Sequence, residues 1–249
     1  MTAANAGVRL KVTRATYYIY NMSTRSTGPL LLCVRCGDGR NEYSWTAPHG
    51  GGIAIQDLPG KGKGVLALRS FERGEVILCE RPLVRWFQDV RKKKADNLRY
   101  LITTVEALPP ASAAAFFDLE QSVVHGAEKT CLGVFQSNAY PSDDVPLHET
   151  SLETDIVSSS VYATFCRFNH ACAQNVRYQW QHEIGAMVVF ANRPIAQGEE
   201  LTSTYFGMEV DPRRSPHENR RAYLRASFDF ECMCNLCLTQ SGSSAPHTA

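Results

Sequence analysis

The sequence has no charge imbalance: 26 lysines and arginines stand against 25 aspartates and glutamates, a formal net charge of +1. Without a field of one sign, direct binding to nucleic acid or to an anionic membrane surface is not expected. No stretch approaches 18 consecutive apolar residues, which excludes a bilayer-spanning helix. The first twenty residues, MTAANAGVRLKVTRATYYIY, lack the apolar run and small-residue cleavage site of a secretory signal. The expected compartment is therefore intracellular, nucleus or cytoplasm. No repeat is visible, so a solenoid is not expected.

Cysteine, by contrast, is plentiful. Nine in a chain without an export signal read as thiols and metal ligands rather than as disulfides. Three of them, Cys232, Cys234 and Cys237, form CMCNLC. That spacing places three thiolates on one tight loop and suits three of the four corners of a tetrahedral zinc site. Three buried thiols without metal are the alternative. Cys172 is the candidate for the fourth ligand. The pair Cys33 and Cys36, in CVRC, has no second pair and reads as structural rather than as a metal or redox site.

Residues 1–52 form a leader of no assigned role, with β-prone stretches at Ala15–Tyr20 and Leu30–Val34. From Ile53 the pattern sharpens. GKGKG (60–64) precedes VLALRSF, the turn residues ERGE with Gly74, and VILCERPL; the two β-rich runs predict a hairpin. Residues of about 89–130 change to helical spacing, with Leu98, Leu101, Ile102 and Val105 on one face. Pro109 and Pro110 end that helix, and a second is predicted to start near Ser112. Residues 131–158 read as irregular, with YPSDDVP as a loop. Strands are predicted again in VRYQW, AMVVFANRPI and LTSTYF, with AQGEE as a turn, followed by a short helix before CMCNLC. The tail, 241–249, is polar and expected to be disordered. The order β, helical, β predicts an α+β, β-rich domain over 53–228 with a helical insertion at about 89–130, then a cysteine-bearing segment at 229–240.

GKGKG on its own is a turn. It lacks the spacing and the terminal Lys-Ser/Thr of a phosphate-binding loop, and a strand follows it. His170 on its own is a ligand, a base or a satisfied core histidine, and Tyr205 ends an apolar strand where a core tyrosine is the default. The run Arg91–Lys94 reads as a solvated face. The decapeptide CRFNHACAQN (166–175) nonetheless crowds an arginine, two asparagines, a histidine and a metal-capable thiol into one loop.

Taken in order, GKGKG, RFNHAC with Asn175, GEELTSTYF and FDFECMCNLC resemble the SET-domain lysine methyltransferases that carry a cysteine-rich post-SET segment. The likeness is nearest the SET-and-MYND branch and its MYND-less fungal relatives, and it runs from about Ile53 to Cys237. It implies the SET fold: small sheets, a threaded, pseudoknot-like C-terminal part, a helical insertion and a zinc-bound post-SET loop. It also implies S-adenosyl-L-methionine as cofactor and one structural zinc. Residue by residue, Lys61, Gly62, Lys63, Gly64, Asn138, Asn169, His170, Tyr205 and Phe230 match cofactor-binding positions. Tyr205 matches the catalytic tyrosine, Tyr140 and Phe228 the substrate channel, and Cys172, Cys232, Cys234 and Cys237 the zinc ligands. Phe117, in FFDLE of the insertion, is expected to approach the cofactor. Ala171 and Gln174 stand where the family pattern has serine and proline, and no cysteine lies between Cys79 and Cys131 to build a MYND finger. The implied activity is protein-lysine N-methylation, on a histone or another protein. The alternative is a SET fold turned to a small-molecule substrate, or to S-adenosylmethionine binding without transfer.

Overall fold

The computed structural model describes residues 16–18, 29–31, 52–142, 156–182, 184–206 and 215–241. Residues 1–44 and 45–249 are separate units. In the first, β1 (Thr16–Tyr18) pairs antiparallel with β2 (Pro29–Leu31), inside or overlapping the two β-prone stretches of the leader. Cys33, Cys36 and the tail from 242 lie outside the described residues, as does most of the loop that begins at Tyr140.

The second unit is built on three small sheets. β3 (Ile53–Leu58) and β4 (Gly62–Ala67) form a hairpin in which Leu58 faces Gly62. Its turn holds Gly60 at φ +72° and Gly62 at φ +69°, left-handed backbone that glycine adopts without steric cost. The last strand, β12 (Glu200–Ser203), enters beside β4 and pairs on its other edge, in parallel, with β9 (Asn169–His170). The sheet order is therefore β3-β4-β12-β9. A C-terminal strand inserted between two earlier ones brings the glycine-rich turn, RFNHAC and GEELTSTYF together. A second sheet orders β10 (Val176–Gln181), β11 (Ala186–Ala191) and β5 (Val76–Glu80); β11 is buried along its whole length. The third orders β6 (Val84–Asp89), β8 (Ile156–Val161) and β7 (Tyr140–Pro141).

The predicted hairpin between VLALRSF and VILCERPL does not form. Both edges of β4 are taken, by β3 and β12, and β5 pairs with β11 instead. The turn at Gly74, φ +87°, redirects the chain between sheets, and the Phe71 N–H donates to Ile195 O at 2.9 Å to fix the crossing. Alternating hydrophobicity identifies strands but does not choose their partners.

The helical insertion packs on β6. α1 (Lys94–Glu106) buries Leu101 and Val105 and half-buries Leu98, while Ile102 is exposed, contrary to the predicted face. α2 (Pro110–Asp118) starts two residues earlier than predicted, because proline at the first helical position gives up an N–H that has no partner there anyway. α3 (Cys131–Asn138) falls where the sequence reads as irregular. Its N-cap is Thr130, whose hydroxyl accepts the Gly133 N–H at 3.0 Å. Leu101 and Phe116, both fully buried, contribute about 2 to 3 kcal/mol each relative to solvent-exposed side chains. Trp86 meets Phe135 edge-on at 5.2 Å. At the C-terminal end, α4 (His217–Phe228) and α5 (Asn235–Gln240) bracket the CMC triplet and enclose a small core of Phe206, Leu224 and three cysteines.

A candidate cofactor cavity, substrate channel and metal centre

The four cysteines predicted to share a metal come together. The Sγ atoms of Cys172, Cys232, Cys234 and Cys237 all lie within 4.8 Å of one another. Cys172 is 3.5 Å from Cys237 and 3.8 Å from Cys232. A zinc with four sulfurs at about 2.3 Å has S–S edges of about 3.8 Å, so the spacing fits that ion. The four are free thiols, three of them buried, gathered without a disulfide. Four thiolates on a divalent ion leave two excess negative charges. The Arg220 guanidinium, fully buried, lies 3.5 Å from Cys237 Sγ and also donates to Gln240 Oε1 at 2.8 Å. It supplies positive charge beside the cluster, where water is excluded.

His170 joins this cluster to the strand end. Its Nδ1 accepts the Tyr205 N–H at 2.9 Å, and its Nε2 lies 3.4 Å from Cys172 Sγ. Accepting at Nδ1 fixes the proton on Nε2, which points it at the sulfur. Burial pushes the imidazole pKa down to about 4, so the ring is neutral at physiological pH.

A cavity of about 690 Å³ opens beside it. Lys61 and Lys63 of the glycine-rich turn, Asn138, Asn169, His170, Tyr205 and Phe230 line it, along with Phe228. Gly62 and Gly64 do not line it, and they serve the backbone instead. A Cβ on Gly64 would stand 2.3 Å from Leu58 Cδ1 and 2.8 Å from Asn169 Nδ2, so only glycine lets the strand pass Asn169 at this distance. Phe117 lines neither cavity described here. It is exposed and packs edge-on against Phe116, while the chain just after it, at Glu120–Val123, forms the insertion's share of the wall.

A second cavity, about 390 Å³, is walled by Tyr140, Tyr178, Tyr205, Phe206 and Phe228. None of the described residues lining it is acidic. The two cavities share Ser137, Asn138, Cys166, Tyr205 and Phe228. Tyr205 stands at this junction. Its hydroxyl donates to Phe168 O at 3.1 Å, and its ring lies 5.0 Å from Phe228 and 6.2 Å from Phe230. Burial holds its phenol far above the usual range, so it stays neutral and donates a hydrogen bond without giving up its proton. Tyr140 is buried and hydrogen-bonded to Ser203 Oγ at 3.0 Å. The Asn138 amide donates to Glu120 O and Val134 O at 2.7 and 2.8 Å, and its backbone carbonyl accepts the Cys166 thiol at 3.2 Å.

Two carboxylates near the larger cavity escape a reading of the sequence. Asp118, the last residue of α2, binds Lys63 Nζ through both oxygens, at 3.0 and 2.8 Å, and also pairs with the nearly buried Arg167. Glu200 accepts from Lys61 Nζ at 2.6 Å and from Asn169 Nδ2 at 2.9 Å. Their partners lie 31 to 139 residues away in sequence, and no local pattern marks such pairs. Asn175 ties the RFNHAC loop to the same strand: its Nδ2 donates to Glu200 O at 2.8 Å, and its Oδ1 accepts the Thr202 N–H at 2.8 Å.

Against known proteins, the SET domain family profile matches residues 62–206. The histone-lysine N-methyltransferase set5 of Schizosaccharomyces pombe is 27% identical over 186 residues, covering 74% of this chain and 49% of that protein. Histone-lysine N-methyltransferase SET5 of Candida albicans is 35% identical over 82 residues, 32% of this chain and 16% of that protein. Histone-lysine N-methyltransferase ATXR2 of Arabidopsis thaliana is 35% identical over 77 residues, 30% of this chain and 15% of that protein. The chain thus spans about half the length of the fission-yeast relative and about one sixth of the other two.

Proposed function

The chain belongs to the SET-domain family, and on that premise we propose that it is an S-adenosylmethionine-dependent protein-lysine N-methyltransferase. The observation that carries this reading is the junction of two cavities at Tyr205: a larger one lined by Asn169 and His170 and a smaller one lined by Tyr140 and Tyr178, with a common wall. The relatives named as histone-lysine N-methyltransferases support a protein substrate, a histone first among the candidates, and with it a nuclear site of action. Among the described residues no helix is long and apolar enough to cross a membrane. The post-SET segment and the kinship with the MYND-less fungal members of the SET-and-MYND branch belong to the same proposal. Support comes from the four gathered thiols and from the fungal relatives.

The larger cavity would hold S-adenosylmethionine against Lys61, Lys63, Asn138, Asn169, His170 and Phe230. When bound, that cofactor supplies an electrophilic methyl group on a sulfonium. The smaller cavity would receive the lysine side chain. A free lysine with pKa near 10.4 is neutral in only about one molecule in a thousand at pH 7.4, a penalty of about 4 kcal/mol for the nucleophilic form. The channel lowers that penalty by desolvation. Five aromatic rings line it and none of the described residues lining it is a carboxylate, so no anion there holds the ammonium. Tyr205 orients the amine at the junction and, as a protonated phenol, contributes a fixed dipole rather than a base. Zinc, held by Cys172, Cys232, Cys234 and Cys237, would be structural, because four thiolates close its shell. When bound, it would hold the segment that sets Phe228 and Phe230 against Tyr205.

Methyl-labelled S-adenosylmethionine, purified protein and extract from its own source test the reading. Label is expected on protein, and Asn169→Ala is expected to lower it at least about tenfold through lost cofactor contacts. Label confined to small molecules would overturn the protein-substrate claim, and absence of label with the cofactor bound would overturn methyl transfer itself.

A further inference from the structure

Asn169 faces two hydrogen-bond acceptors. One is the Glu200 carboxylate, with Oε1 at 2.9 Å, and the other is the Lys63 carbonyl at 3.4 Å. Both require the amide nitrogen, so only one orientation of the amide is chemically consistent. Nδ2 points at Glu200, and Oδ1 is left for the cavity that Asn169 lines. The second carboxylate oxygen accepts from Lys61 Nζ at 2.6 Å. Glu200 is four-fifths buried and does not itself line either cavity.

We propose that Glu200 is a positioning residue for ligand recognition: by fixing the Asn169 amide it presents an acceptor, Oδ1, to the cavity, matched to the ammonium of a ligand's amino-acid end. The same carboxylate anchors Lys61 through its other oxygen. This rests on the S-adenosylmethionine reading and adds to it a residue outside the cavity wall. The replacement Glu200→Gln keeps the shape but offers an N–H of its own. Lys61, which can only donate, keeps the oxygen of the introduced amide, so that amide's NH₂ faces Asn169. Asn169 then turns Oδ1 toward it and its own NH₂ toward the cavity, where it opposes an ammonium.

Two ligands separate this role from a general loss of structure. S-adenosylhomocysteine carries the amino-acid end and is not turned over, whereas 5′-methylthioadenosine keeps the nucleoside thioether without it. Calorimetric titration of the full chain is expected to show Glu200→Gln weakening S-adenosylhomocysteine about tenfold while leaving 5′-methylthioadenosine unchanged. In an Asn169→Ala background the same replacement is expected to cost about twofold or less, since the group it acts through is gone. Equal weakening of both ligands, or an undiminished effect without Asn169, would overturn the proposal. Wild-type protein that binds neither ligand would overturn the cofactor reading beneath it. Should Glu200→Gln fail to fold, the wild-type protein still decides: NMR is expected to show the Asn169 side-chain NH₂ exchanging slowly with solvent in the ligand-free state. Exchange at the rate of a free amide would overturn the assignment.

Discussion

Glu80 ends β5 inside the protein, with its carboxylate accepting the Thr164 and Phe165 N–H groups, each at 2.8 Å. It thereby pins the start of the loop that runs on to Arg167, Asn169 and His170. Burial outweighs those bonds and pushes its pKa from 4.5 up to about 7. Between those two values the folded chain holds the proton more tightly than the unfolded chain. The Glu80 contribution to stability therefore falls by about 3 kcal/mol as pH rises from about 4.5 to 7. Glu80→Gln removes that slope. Urea denaturation at pH 5 and pH 8 is expected to show the variant gaining on the wild type at the higher pH; an unchanged difference between the two proteins would rule out the burial account. Gly64 is the other decisive single position. Gly64→Ala drives a methyl into Leu58 and the Asn169 amide, and is expected to lower affinity for S-adenosylhomocysteine at least about tenfold, measured by calorimetry.

The insertion is held to the rest of the unit by more than apolar packing. Asp118 stands at the C-terminal end of α2, where the helix dipole disfavours a carboxylate. It is retained against that dipole by Lys63 on β4 and by Arg167 on the RFNHAC loop. Asp118→Ala leaves the nearly buried Arg167 without this counter-charge. Because Asp118 itself is half-exposed, the expected loss is about 1 to 2 kcal/mol rather than the full cost of breaking a buried pair. Hydrogen exchange is expected to quicken in α2 and in residues 119–125; protection unchanged there would show that the ion pairs do not hold the insertion. At this scale the sequence is partly legible. The strands over 176–203 and the helix at 94–106 follow from their periodicity. α3 does not: it has only eight residues, and it carries a glycine, a weak helix former, at 133, where a side chain would meet Gln121 Oε1 at 2.2 Å. The β4–β5 hairpin fails as a prediction because composition names strands and leaves partners open. The motif residues that meet around the two cavities are readable, whereas Glu200 and Asp118 have partners that only the fold brings near.

At the scale of the second unit, separate stretches of chain meet at the four-cysteine cluster. Cys172 follows β9, the other three cysteines lie between the end of α4 and the first turn of α5, and His170 and Arg220 approach the sulfurs of Cys172 and Cys237 at 3.4 and 3.5 Å. Elemental analysis is expected to find about one zinc per chain in the described unit. Stripping it with a chelator is expected to unfasten residues 228–237 and lower both melting temperature and affinity for S-adenosylhomocysteine. Protein verified to be zinc-free that keeps both would refute a structural metal.

The placement of β12 also bears on how the protein is made. Val65 and Leu201 pair across more than 130 residues of chain. A ribosome adding about 5 to 20 residues per second takes on the order of 10 s to connect them. Until then β4 has one open edge, and β9 lacks the neighbour to which its backbone bonds. Such edges attract other strands, so the nascent chain is vulnerable to mispairing throughout that interval. Any condition that stalls synthesis between residues 67 and 200 lengthens it, and chaperones that cover exposed strand edges would relieve it.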